Sequence, residues 1–205
     1  MFHAVFSLVS ALTMRRFVYL LVVFCSLAVY GQPNQALQMQ LIKMATQQSE
    51  IQQNFQKYDK TTLPASLQLL ATNINQLHTE TLKEIVSLNG WPNKESVTEQ
   101  GVKAAFSIVN HSTDLAFQQD MLPLIIQSYI NQDGIAGKDV AEFTDKVSLK
   151  LGKPQVFGTQ AEMVEGKIQF APMENQANVD QLRAQMGMPP LAEFKESLER
   201  LHNLN

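Results

Sequence analysis

Between Leu37 and Tyr58 the residues Leu37, Leu41, Met44, Ile51, Phe55 and Tyr58 recur at intervals of three, four and seven, with Gln48 filling the skipped slot. An α-helix turns once in about 3.6 residues, so this spacing lines one face of a helix. The period returns in Leu67, Leu70, Ile74, Leu77, Ile85 and Leu88, opening near Thr62 and Pro64 and stopping at Asn89-Gly90. It returns again in Val140, Phe143, Val147 and Leu151, before Gly152-Lys153-Pro154. One-sided helices must bury their stripes against one another, so the pattern predicts a mainly α, multi-helical single domain. Residues 32–89 are expected to form an N-terminal antiparallel helical hairpin, and residues 90–205 the remaining helical region. The other faces of the Leu37–Tyr58 helix are rich in glutamine, which makes that helix a candidate surface for a protein partner as well as for internal packing.

The segments between these stripes carry start and stop signals. Gly90-Trp91-Pro92-Asn93 reads as a turn, and Ser96-Val97-Thr98-Glu99 has the form of a capping box for a third helix ending at His111. Asp114 is placed to cap a helix over Leu115 to Ile130, in which Pro123 is expected to force a kink or a fresh start near Asp120. One β island interrupts the helices, KPQVFGTQAEMVEGKIQF at residues 153–170, predicted as a β-hairpin near residues 155–172 turning at Glu165-Gly166. In a strand, Gln155, Phe157, Thr159 and Ala161 would share one face, and Val156, Gly158 and Gln160 the other. A short helix follows at Asp180, and a last one from Leu191 after Gly187-Met188-Pro189-Pro190.

Met14-Arg15-Arg16, the apolar run FVYLLVVFCSLAV and then YGQPN match the charged, hydrophobic and cleavage regions of a secretory signal. Residues 1–31 are therefore expected to be a signal peptide cut between Gly31 and Gln32, with residues 1–13 an over-long start. The apolar run is shorter than the roughly 20 residues that span a bilayer as helix, which leaves an uncleaved N-terminal membrane anchor as the alternative. The expected destination is periplasmic or extracellular, without membrane attachment after cleavage. Cleavage would remove Cys25, the only cysteine, and with it disulfide and thiolate chemistry. A formal charge of -3 with scattered charges lacks the clustered positive field of a nucleic-acid surface, so no nucleic-acid partner is expected.

A succession of short motifs in the second half has a recognisable order. They are Gly90-Trp91-Pro92, Gly101 with Ala105-Phe106, His111 with Asp114 and Phe117-Gln118, and Leu122-Pro123-Leu124. Asp145-Lys146-Val147, Gly152, Pro154-Gln155 and Phe157-Gly158-Thr159-Gln160 continue the series, which closes with Val179-Asp180, Arg183, Gly187 and Pro190-Leu191. This region, Gly90 to Leu191, resembles a bacterial family, domain of unknown function 6624. The resemblance leaves the first two helices outside, and it implies positions rather than an activity, with His111, Asp145, Gln155 and the Gly158-Thr159-Gln160 triplet as its signature. Two residues depart from the family pattern, Lys146 where arginine is usual and Phe157 where tyrosine is usual. Roles that need a bidentate guanidinium or a phenol hydroxyl there do not carry over.

Two chemical readings follow. In one, His111 is a general base or acid, with an intrinsic pKa suited to neutral pH, and Asp145 orients its ring as in a small hydrolase. Its structural counterpart is a histidine that donates to free carbonyls at a helix end. In the other reading Gln155, Gly158, Thr159, Gln160, Arg183 and Trp91 line a polar cleft for an uncharged small molecule such as a sugar or a peptide. Trp91 would then stack on the ligand rather than plug the core. His78, His111 and His202 show no paired ligand spacing, so no metal is expected, and no motif calls for a cofactor.

Overall fold

The computed structural model describes residues 33–59 and 62–203, and the leader expected over residues 1–31 lies outside the described residues. The described chain is mainly α: seven helices and one two-stranded hairpin. In order they are α1 (Gln35–Phe55), α2 (Ala65–Asn89), α3 (Lys94–His111), α4 (Leu115–Ile130), α5 (Gly137–Lys150), β1 (Ala161–Val164), β2 (Lys167–Phe170), α6 (Val179–Gln185) and α7 (Leu191–Asn203). Among the described residues no helix is long and apolar enough to cross a membrane.

The stripe on α1 is buried as its period requires, through Leu41, Met44, Gln48 and Ile51. It packs chiefly on α3, which lies at the centre of the core and also touches α2 and α4. One continuous cluster joins Leu41 and Met44 to Leu82 and Ile85 of α2, Ile108 and Val109 of α3, Ile125 of α4, and Val140, Phe143 and Val147 of α5. Each such side chain contributes about 1.5–3 kcal/mol by leaving water, which is how helices without disulfides hold together.

The second helix is rotated from its expected face. Its buried residues are Ala71, His78, Thr79, Leu82 and Ile85, whereas Leu70, Leu77 and Leu88 are exposed. Polar pairing accounts for the difference. Gln48 Nε2 donates to Asn75 Oδ1 at 3.0 Å, His78 Nε2 meets Gln47 Oε1 at 3.1 Å, and Thr79 Oγ1, which donates to the Asn75 carbonyl, meets Ser112 Oγ at 2.9 Å. Such contacts fix a helix face that a count of apolar residues passes over.

Two boundary expectations are also corrected. The capping box sits one turn earlier than Ser96–Glu99: Asn93 Oδ1 accepts from the Ser96 amide at 2.9 Å, and Ser96 Oγ accepts from the Asn93 amide at 3.1 Å. Thr98, at φ 59, then breaks the helical path within α3. Pro123 starts no new helix, for α4 runs through it under the cap of Asp114, whose Oδ1 accepts from the Phe117 amide at 3.0 Å.

The hairpin is shorter than expected. Strand pairing spans Ala161↔Phe170 to Val164↔Lys167, around Glu165 (φ 50) and Gly166 (φ 75). Two successive positive φ values make the two-residue turn that follows the twist of paired strands. Residues 155–160 precede the strands as a folded loop, so the alternating faces expected for Gln155 to Gln160 do not exist.

Candidate functional site

The loop over residues 155–160 is wrapped around one carboxylate. Asp145 lies on α5 beside the Val140-Phe143-Val147 stripe and is fully buried, at 0% exposure. Its Oδ1 accepts from the amides of Val156 (2.7 Å) and Phe157 (3.0 Å), and its Oδ2 from the amides of Phe157 (3.2 Å) and Thr159 (2.9 Å) and from Thr159 Oγ1 (2.8 Å). Charge-assisted bonds of this kind are the strong ones, and they replace the water that a buried carboxylate loses.

Gln155 holds the loop from inside. Its Oε1 accepts from the Gln160 amide at 2.9 Å, while its Nε2 donates to the carbonyls of Gln160 (3.0 Å) and Ala171 (2.9 Å). The loop is thereby tied to the end of β2. Gly158 is at φ 65, a region that favours glycine, and a β-carbon there would meet Leu191 Cδ1 at 2.8 Å and Met173 Sδ at 3.2 Å. Its missing side chain lets the loop lie against the start of α7.

Arg183 closes the arrangement from α6. It is buried, its Nη1 donates to the carbonyls of Phe157 (2.9 Å) and Gly158 (3.3 Å), and its Nε donates to the carbonyl of Pro189 at 2.7 Å. Its guanidinium carbon stands 4.8 Å from the centroid of the Phe194 ring. Burial holds its pKa below the usual arginine value, against the opposing fields of Asp180 and Asp145. Nη2 carries no hydrogen bond among the described residues.

A cavity of about 120 Å³ adjoins this side of the loop. Thr159 and Arg183 line it with Met188, Pro189 and Phe194, and Lys138 and Glu142 of α5 stand at its edge, 3.5 Å apart as an ion pair. A wider, more open groove of about 370 Å³ runs beside the hairpin, lined in part by Leu149, Gln160 and Phe170. The smaller cavity is the stronger candidate because a buried charged side chain forms part of its wall.

Six of the expected site residues thus come together: Asp145, Gln155, Gly158, Thr159, Gln160 and Arg183. His111 and Trp91 do not join them. His111 Nδ1 lies 2.9 Å from the Ser107 carbonyl, and since a carbonyl only accepts, the ring nitrogen is the donor. The expected Asp145–His111 pair is therefore corrected: the histidine turns back onto the Ser107 carbonyl of its own helix, and the carboxylate is taken up by the loop. Trp91 packs against the hydrophobic core with Nε1 buried, rather than facing either opening.

The end of α3 is satisfied from two other helices. Gln118 Nε2 donates to the carbonyls of Val109 (2.9 Å) and Ser112 (3.0 Å), and Lys146 Nζ donates to the Asn110 carbonyl at 2.6 Å and to the Asn110 side-chain oxygen. Burial, helped by the charge of Lys150, pushes the Lys146 ammonium down to about 8. At this departure from the family pattern a point charge, not a fork, meets the helix end. Of the cavity residues, Lys138, Glu142, Met188, Pro189 and Phe194 were not foreseen from sequence; the only local signal was the four-residue spacing of Lys138 and Glu142 on one helix face.

Among the described residues, no group of three or more histidine, cysteine or acidic side chains is arranged to hold a metal ion. Residues 35–205 match the model of a family of unknown function, DUF6624. The match takes in α1 and α2 and so widens the resemblance that sequence reading began at Gly90. No curated protein and no solved structure matches the chain.

Proposed function

We propose, since the chain belongs to the family of unknown function DUF6624 and that membership supplies no activity, that the protein is a binding module whose cavity beside the 155–160 loop receives a small ligand. The observation that carries this reading is a buried arginine, with one nitrogen that makes no hydrogen bond among the described residues, in the wall of a recess whose apolar side is Met188, Pro189 and Phe194. The loop's own polar groups are spent on one another: Thr159 Oγ1 donates to Asp145 and accepts from Gln160 Nε2 at 3.0 Å. A sugar, which needs many hydrogen bonds, is poorly served by such a site. A compact apolar body with one acceptor suits it better, at about the size of the benzene that fills a cavity of roughly 150 Å³.

Glu142→Trp tests the reading, because the Glu142 side chain is half-exposed at the cavity and a large ring there covers the opening without replacing a core residue. A ligand-observed NMR screen of ring-sized fragments is expected to give hits with the wild-type chain that weaken at least tenfold in the variant. Hits that bind both proteins equally place the site elsewhere and overturn the proposal.

The same module is proposed to be exported, on the pattern of Arg15-Arg16, the apolar run and the small-residue cut at Gly31. N-terminal sequencing of the protein made by its own cells is expected to begin at Gln32. A chain that retains Met14 would refute cleavage.

A further inference from the structure

The fully buried guanidinium of Arg183 forms no ion pair among the described residues, although buried charges are normally paired. Its three hydrogen bonds go to neutral carbonyls. The two carboxylates whose fields reach it are engaged elsewhere. Asp145 takes its hydrogen bonds from the 155–160 loop, and Asp180 Oδ1 accepts from the Leu191 amide at 2.7 Å, at the start of α7.

From this we infer that the ligand of the cavity is a carboxylate, bound through one oxygen on Arg183 Nη2 with its apolar body between Met188, Pro189 and Phe194. The inference rests on the cavity reading above and adds the charge of the ligand to it. Three features favour an acid over a neutral acceptor. The guanidinium is desolvated, so an opposite charge beside it is screened little by water or salt. Lys138 at the cavity supplies an ammonium that an incoming carboxylate can share with Glu142, its ion-pair partner at 3.5 Å. A planar carboxylate can also lie edge-on to a guanidinium whose face is covered by Phe194, leaving the ring free to pack on the ligand body.

The probes are benzoate and its neutral counterpart benzamide, titrated into the wild-type chain at neutral pH while the Arg183 Nε–Hε resonance and the backbone amides of residues 157–159 are followed by NMR. Benzoate is expected to bind on the order of tenfold or more tightly than benzamide, the difference typical of a hydrogen bond made to a charged group. It is also expected to move the Arg183 resonance and to lose affinity in Glu142→Trp. Equal binding, or a preference for benzamide, overturns the carboxylate inference and leaves the cavity reading in place. Failure of both probes to move Arg183 or the 157–159 amides removes both readings. Arg183→Lys, if it folds, adds a further check, because it retains the charge but cannot both hold the loop carbonyls and present a donor where Nη2 stands, and is expected to narrow the benzoate preference. A full preference in that variant would overturn the assignment of the carboxylate to Arg183 Nη2.

Discussion

Asp145→Ala is expected to destabilise the protein by about 2–4 kcal/mol, in the upper range for single substitutions, by leaving four donors of the half-buried loop without their buried acceptor. Those donors are the amides of Val156, Phe157 and Thr159 and the hydroxyl of Thr159, all within 3.2 Å of the carboxylate. Two effects oppose the loss. Alanine is the better helix former by a few tenths of a kcal/mol, and a buried charge is removed with its desolvation cost. Neither restores an acceptor to the loop, so the orphaned amides decide the sign. Asparagine keeps the size but turns one acceptor into a donor facing other donors, and is expected to recover less than half of the loss. Urea unfolding with the linear extrapolation measures both variants. A cost under about 1 kcal/mol for Asp145→Ala would show that the loop holds its shape without the carboxylate.

The same contacts explain what the sequence disclosed and what it hid. The period of Leu41, Met44 and Ile51, and of Val140, Phe143 and Val147, reports burial directly because apolar side chains leave water wherever a face is covered. The cap at Asp114 and the glycine stop at Gly90 were legible for a similar reason, being local bonds between residues three or four apart, whereas the box that begins at Asn93 was placed one turn too late. The face of α2 was misread because His78 and Thr79 are buried through polar partners on α1 and at Ser112, far away in sequence. Loop 155–160 was read as a strand because its residues have strand-like composition, while the carboxylate that folds it lies ten residues earlier on another element. Of the signature positions, Asp145, Gln155 and the 158–160 triplet meet in one loop without His111, and their side chains mostly bond that loop to itself. What faces the cavity, Met188, Pro189 and Phe194, carries no pattern that distinguishes a ligand wall from ordinary packing.

Arg183→Leu is expected to cost about 2–4 kcal/mol, since it releases the carbonyls of Phe157, Gly158 and Pro189 together. Replacing a buried charge with an apolar side chain of similar length can be neutral where nothing is left unpaired, but here three acceptors lose their donor. Lysine does not substitute, because one ammonium on a flexible stem does not reach Pro189 on one side and the 157–158 turn on the other with fixed geometry. Asp145 and Arg183 grip the same loop from α5 and α6, the first through its amides and the second through its carbonyls. Once either grip is gone the loop is free to relax, and the other holds less. Asp145→Ala/Arg183→Leu is therefore expected to cost less than the two single changes together, by about 1–3 kcal/mol in a double-mutant cycle. Additivity within about 0.5 kcal/mol would mean that the two residues act on independent parts of the fold, and the loop would then not be the shared element that joins α5 to the cavity wall.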